Sequence, residues 1–393
     1  MDKLDAYSRK PMSRPLLAWT VAFFLFFGRA IDPCEAAKSE PAPALKVSQV
    51  TDLGVLGSPP KIHSRDGGYS VWLDDRSVWV FGDTLFNGKI NQDPDFHSNS
   101  WSWTQDRDAS DGIGPFAQSY DPDGRPSVLL PFTDEELAFN NAHGGDNCDL
   151  PPCGVRWALW PGAVVADPAR KRMLFFYEKI YIEPGDLKFT VFGKSLVAWE
   201  NAEQAPERVR FNPGHGHPTL MFPRGDFGFG DAAVVMGPSL YVYGCNLQGN
   251  QLPCRVARVE LGHALETRSW ETWTDGGQWC KDLNKGQQIF NGNEILSVSY
   301  NPYLDRFLAV YSQPMSTSVM FRTALRPEGP WSSPVEAFKA RAPANKIGWV
   351  YDALEHPEYA QDNGRVVYIT YSRQTSASAF EIRLVSIRIE RID

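Results

Sequence analysis

Five times along the chain, a short apolar run rich in Val, Trp, Tyr and Phe reaches a turn and is answered by a second run of the same kind. In the first unit Ser64-Arg65-Asp66-Gly67-Gly68-Tyr69-Ser70-Val71-Trp72-Leu73 precedes the turn Asp74-Asp75-Arg76-Ser77, and Val78-Trp79-Val80-Phe81-Gly82-Asp83-Thr84 follows it. The plan recurs at 160–177, 230–244, 293–312 and 351–372. Runs of this length and composition suit a pleated strand and are too short for a helix, so each unit reads as a β-hairpin. With Asp66, Trp160, Asp231, Glu294 and Glu355 as markers, the units lie 94, 71, 63 and 61 residues apart. That leaves room for a four-stranded blade each, with one long insertion after the first, and is too irregular for a short-repeat solenoid. The expected architecture is all-β, a five-bladed β-propeller.

In a propeller the first strand of each blade lines the axis, so polar residues opening those strands are delivered to one central mouth. This gathers Asp66, Asp231 and Glu294. Asp83, at the end of a second strand, is expected farther from the axis. After the last hairpin only 380–389 reads as a strand, so 45–50 is expected to complete the last blade and close the ring with both termini.

Composition agrees with a turn-dense β protein: among 393 residues there are 13 Trp, 14 Tyr and 23 Phe, with 32 Gly and 30 Pro to make turns. The N-terminus carries Lys3, Arg9, Lys10 and Arg14 before an apolar run at 16–27 and small residues at 36–37, which reads as a secretory signal peptide over 1–37. The run is about a dozen residues, short of the roughly 20 a bilayer span needs; an uncleaved anchor is the competing reading. Residues 38–44 read as a linker and 45–393 as the propeller. The leader holds five basic and four acidic side chains, so removing it takes the net charge from −8 to −9. So acidic a surface argues against nucleic acid or membrane as partner and leaves neutral polymers. The expected product is a secreted or periplasmic monomer.

Of six cysteines, Cys148 with Cys153 and Cys245 with Cys254 bracket short loops and read as disulfides of an oxidising compartment. Cys280 is left single, and Cys34 is a poor match to a lipidated first residue. The irregular stretch 88–155 is long enough to be functional; its Trp101 and Trp103 read either as a cleft wall stacking on sugars or as a cluster packed under the loop. Asp106, Asp108 and Asp111 are candidate calcium ligands, although the distal Glu of an EF-hand is missing; no other metal or cofactor is expected. His215 and His217 lack the further ligands that zinc requires.

The arrangement resembles the five-bladed propeller glycosidases, the arabinanases, invertases and levansucrases, which place an aspartate on the first blade, a second on a middle blade and a glutamate on the next. More closely, the chain is similar to a secreted bacterial propeller family of unknown function, some of whose members are endo-D-arabinanases. The likeness is carried by Arg65-Asp66-Gly67-Gly68, Phe81-Gly82-Asp83-Thr84, Ser98-Asn99-Ser100, Asn301-Pro302-Tyr303 with Ala309-Val310-Tyr311-Ser312, Pro327-Glu328-Gly329-Pro330-Trp331 and Glu355-His356-Pro357-Glu358. It implies a glycoside hydrolase acting on furanose-rich, arabinan-like polysaccharide.

Glycoside cleavage needs a protonated acid at the leaving oxygen and an ionised carboxylate on the opposite face of the sugar. The expected base or nucleophile is Asp66 and the expected acid Glu294, with Asp231 between them raising the acid by like-charge repulsion. Asp83, Trp160, Trp101, Tyr351, Asp352, His356 and Arg322 are expected to bind substrate. Blander readings stand beside these: a turn role for Asp83, an ion pair with Arg322 for Glu294, and a turn-holding role for His356. Two other functions remain open, a carbohydrate-binding propeller without catalysis and a structural interaction propeller.

Overall fold

The computed structural model describes residues 44–86, 96–122, 124–145, 148–185, 187–200, 204–344, 348–376 and 379–392. The expected leader and Cys34 lie outside these; of the linker only Ala44 is described, and it opens a strand. Five antiparallel sheets, each led by one of the predicted hairpins, form a five-bladed β-propeller. Blade 1 pairs Ile62–Leu73 with Arg76–Phe86, against which Phe96–His97 and Ser100–Thr104 also pair. Blade 2 orders Arg156–Asp167, Arg172–Ile182, Phe189–Trp199 and Phe222–Pro223. Blade 3 begins Ala232–Met236, Ser239–Cys245 and Pro253–Glu260. Blade 4 orders Leu296–Asn301, Arg306–Ser312, Ser318–Ala324 and Val335–Lys339. First strands of successive blades touch one another around the ring, and that of blade 5, Tyr351–Glu355, touches that of blade 1.

Blade 5 continues through Val366–Ser376 and Ala379–Ile392, and the N-terminal strand Ala44–Val55 pairs along Ala379–Ile392 as its outermost strand. Both termini therefore close the ring, which removes the edge that Ala379–Ile392 would otherwise expose. Arg383 fixes the join with both guanidinium-to-carboxylate contacts to Asp52 at 2.8 Å.

Between blades 1 and 2 the chain forms the helix Asp134–His143. Thr133 accepts from the Glu136 N–H and Glu136 accepts from the Thr133 N–H, a reciprocal cap that satisfies two of the otherwise unpaired N-terminal donors. Glu136 also takes Lys179 at 2.5 Å and Arg208, so this helix is pinned to blade 2. Trp101 is buried: it stacks on Trp103 at 5.1 Å and meets Trp199 edge-on at 4.6 Å, in the core between blades. The expected cleft-wall position of Trp101 is thus corrected to a packing one. A flat indole on a strand covers more apolar area inside the sheet stack than at its rim.

Both expected disulfides are present, Cys148–Cys153 and Cys245–Cys254, and Cys280 is half-buried and free. No helix among the described residues is long and apolar enough to cross a membrane.

Candidate active site

Arg65 and Asp66 are neighbours on a strand, so their side chains leave by opposite faces. Arg65 turns inward, lies 3.5 Å over the Phe81 ring and donates to Ser102 at 2.8 Å, which leaves Asp66 facing the mouth. The ladder to the second strand is broken on either side of Gly67, where Gly67 and Gly68 take φ of +77° and +112°. Only glycine adopts such angles without strain, so the pair of glycines after Asp66 builds the bulge that aims it. Its carboxylate then lies against Gly82: a Cβ there would stand 2.6 Å from Asp66 Oδ1. This close approach brings Asp83 beside Asp66 and overturns the expectation that Asp83 lies farther out. Strand order alone misplaces it because the bulge bends the first strand onto the second.

Blade 5 adds two groups. Tyr351 donates to Asp66 Oδ2 at 3.2 Å, and Asp352 accepts from the Gly67 N–H at 3.0 Å. Asp352 sits in a ladder break with φ of +54°, a left-handed conformation that Asp tolerates better than most residues. Blade 2 adds Trp160, whose indole N–H donates to Asp83 Oδ1 at 2.8 Å. Asp66 and Asp83 are half-buried, while Asp352 is buried. Burial, then repulsion from Asp83 and Asp352, raises Asp66 well above the ordinary carboxylate range. Burial pushes Asp83 up to about 6 against its bond from Trp160 and the charge of Arg156. Asp352 is pushed up to about 7 by burial, with Asp83 adding to it.

Asp231 and Glu294 belong to a second group. Asp231 is buried, with one carboxylate oxygen on the Lys194 ammonium and the other accepting the Cys245 N–H at 2.6 Å. Lys194 also meets Glu178 at 2.8 Å. Burial, then Glu178, raises Glu294, with Lys194 opposing. Burial, with Glu178 adding to it, raises Asp231, while the Lys194 ammonium against it pulls it back toward the ionised form. The expected place of Asp231 between base and acid is therefore corrected: both its oxygens are occupied, and Glu178 is the carboxylate acting on Glu294. Tyr69 stands between the two groups, donating to the Asp231 carbonyl at 2.8 Å and feeling the charge of Asp231, Asp352 and Glu178.

Besides Trp101, two expected binding residues lie elsewhere. His356 is fully buried, stacks on Trp79 at 4.3 Å, and has its ring nitrogens on Ser70 and Thr370 at 2.6 and 2.7 Å. Burial lowers it to about 3, so it is a neutral packing residue. Arg322, on the third strand of blade 4, donates to the Tyr311 hydroxyl, the Ser332 carbonyl and the Asn291 carbonyl, and no ion pair joins it to Glu294 among the described residues. Asp106 and Asp108 accept N–H groups of their own loop at 2.9 to 3.0 Å, and no trio of metal-ligating side chains is gathered among the described residues. Glu178 and Lys194 escape a reading of first strands, because they lie on the second and third. Their signal is a charge inside a buried apolar run, in Phe175-Phe176-Tyr177-Glu178 and Gly193-Lys194-Ser195-Leu196.

The model of the family described as "Domain of unknown function (DUF4185)" matches residues 49–382. A solved protein of Bacteroides ovatus ATCC 8483 shares the fold at 16% identity, with a TM-score of 0.54 over 84% of this chain and 87% of that one. The α-L-arabinofuranosidase PaAbf62A of Podospora anserina, solved with cellotriose, matches 88% of this chain and 98% of its own at 11% identity and a TM-score of 0.46. The GH43_1 enzyme of Xanthomonas citri, solved with xylotriose, matches 85% and 90% at 10% identity and the same TM-score, 0.46. No protein with a curated description matches this chain.

Proposed function

The chain belongs to the DUF4185 family, and from that premise we propose that it is a glycoside hydrolase in which Asp66 and Asp83 perform the acid–base chemistry. The observation that carries this reading is their juxtaposition: two half-buried carboxylates share one mouth, with Tyr351 on the first and Trp160 on the second. Like charges in a partly desolvated site cannot both ionise cheaply, so one keeps its proton while the other loses it. Asp66, which Asp83 and Asp352 repel, is the acid for the leaving oxygen. Asp83, ionised above about pH 6, is the base or nucleophile. This reverses the role first expected of Asp66. Asp66, Asp83 and Asp352 repel one another at the mouth, and Glu178 and Glu294 repel one another beside it, a setting that favours an uncharged polymer over an anionic one. The specific form we propose is an endo-acting D-arabinanase on furanose-rich polysaccharide, in keeping with the motif likeness of the sequence.

Incubation with arabinans, fructans and galactans, followed by reducing-end release, is the test. Asp66→Asn and Asp83→Asn are each expected to lower kcat by about 10²–10⁴ while the protein keeps its melting temperature. A wild type that cleaves but loses less than about tenfold with both changes combined would refute the assignment.

A further inference from the structure

Across blade 2 the ladder sets Trp160 opposite Glu178 and Glu178 opposite Lys194, one row of three side chains on three adjacent strands. One end of the row touches the acid–base pair, since Trp160 donates to Asp83. The other end crosses to blade 3, where the Lys194 ammonium, 5% exposed, binds Asp231, and its charge reaches Glu294 on blade 4. A buried ammonium is costly unless paired. Here Asp231, fully occupied, is its buried counter-ion, so the more exposed Glu178 is the partner that still presents an edge to the mouth; its side chain is 19% exposed. The indole of Trp160 is fixed at its N–H and flanked edge-on by Phe189 at 5.1 Å. A fixed aromatic ring beside an acceptor-only carboxylate suits a sugar: the ring packs on C–H faces and the carboxylate accepts from hydroxyls.

We propose that Lys194 is a positioning residue: its ammonium holds Glu178 beside Trp160, and these two side chains form the subsite for the sugar adjoining the bond that Asp66 and Asp83 cut. The inference rests on the glycoside-hydrolase reading and assigns the row a binding role distinct from proton transfer. Glu178 accepts hydrogen bonds from sugar hydroxyls and stands apart from the bond that is cut, so its loss weakens binding more than turnover. Removing Lys194 frees the Glu178 carboxylate to swing, and the effect of that removal passes through Glu178.

The experiment uses the full chain and the polymer of the arabinan, fructan and galactan panel on which wild type acts best. Glu178→Gln is expected to raise KM about tenfold with kcat changed less than threefold, whereas Asp83→Asn lowers kcat. Lys194→Ala should raise KM in the same way and regain affinity in propylammonium chloride but not in sodium chloride of equal ionic strength. In the Glu178→Gln background, Lys194→Ala should add little, since both act on one contact. A merely structural lysine would lower the melting temperature with no KM–kcat split and no amine rescue. A loss of kcat at unchanged KM in Glu178→Gln would overturn the proposal, as would an unchanged KM. Affinity electrophoresis of Asp66→Asn protein in gels containing each polymer separates this from failure of the hydrolase reading. Retardation that Glu178→Gln abolishes supports the subsite even where wild type releases nothing, and retardation that survives Glu178→Gln, or none with any polymer, overturns it.

Discussion

At the scale of residues, the mouth is governed by repulsion between carboxylates that the backbone forces together. Asp66 feels Asp83 and Asp352, and its pKa is raised first by burial and then by those two charges. Activity should therefore rise with pH as Asp83 ionises near 6, and fall at higher pH as Asp66 gives up the proton it must donate. Asp352→Asn removes one of the two repelling charges, which favours ionised Asp66 and moves the alkaline limb of kcat/KM to lower pH. The acid limb, set by Asp83, should move less, because burial dominates there and Asp352 is not among its main causes. A profile in which only the acid limb shifts would contradict the assignment of Asp66 as the acid.

The elements that hold these residues are short, and blade 3 shows how one is stabilised. Its second and third strands are joined by Cys245–Cys254, which are register partners nine residues apart in sequence. The N–H of Cys245 binds Asp231, and the backbone N–H of Leu247, inside the closed loop, stabilises the Glu294 carboxylate. The cross-link therefore anchors backbone donors for two carboxylates of the central ring. Closing a loop of this size removes unfolded-state entropy worth about 2–3 kcal/mol. The double change Cys245→Ser, Cys254→Ser should lower the unfolding free energy read from urea titration by that amount, moving the midpoint to lower urea, and also raise KM, as the loop carrying the two donors loosens. Equal urea midpoints for the wild type with and without reductant would show that the bridge contributes nothing.

At the scale of the whole molecule, closure depends on a strand from the far end of the sequence. Ala44–Val55 is the outermost strand of blade 5 and covers Ala379–Ile392, with Arg383 clamped on Asp52. A chain beginning at Leu56 leaves a fourteen-residue strand with one unpaired edge, the geometry that pairs with other chains. It should melt lower by on the order of 5–10 °C and associate on heating, as light scattering would show. A truncated chain as stable and as monodisperse as the full one would show that the ring closes without that strand.

What the sequence determined by itself is the ring. Five hairpins, their spacing, the two disulfides and the strand shared by both termini are all legible, because period-two apolar runs, turn residues and short Cys spacings are local signals. The position of Asp66 is legible too, since it opens the first strand of its unit, and first strands line the axis. The grouping of the carboxylates was decided only by the tertiary structure. Asp83 joins Asp66 because a bulge folds one strand onto the next, and Asp231 is withdrawn from the mouth because a lysine from the third strand of a neighbouring blade reaches it. Whether a side chain faces the axis or the core depends on what lies across the blade interface, as Trp101 and His356 show by packing inward. Such partners lie far apart along the chain, so no pattern within one strand encodes them. Only the closed ring sets them within reach of one another.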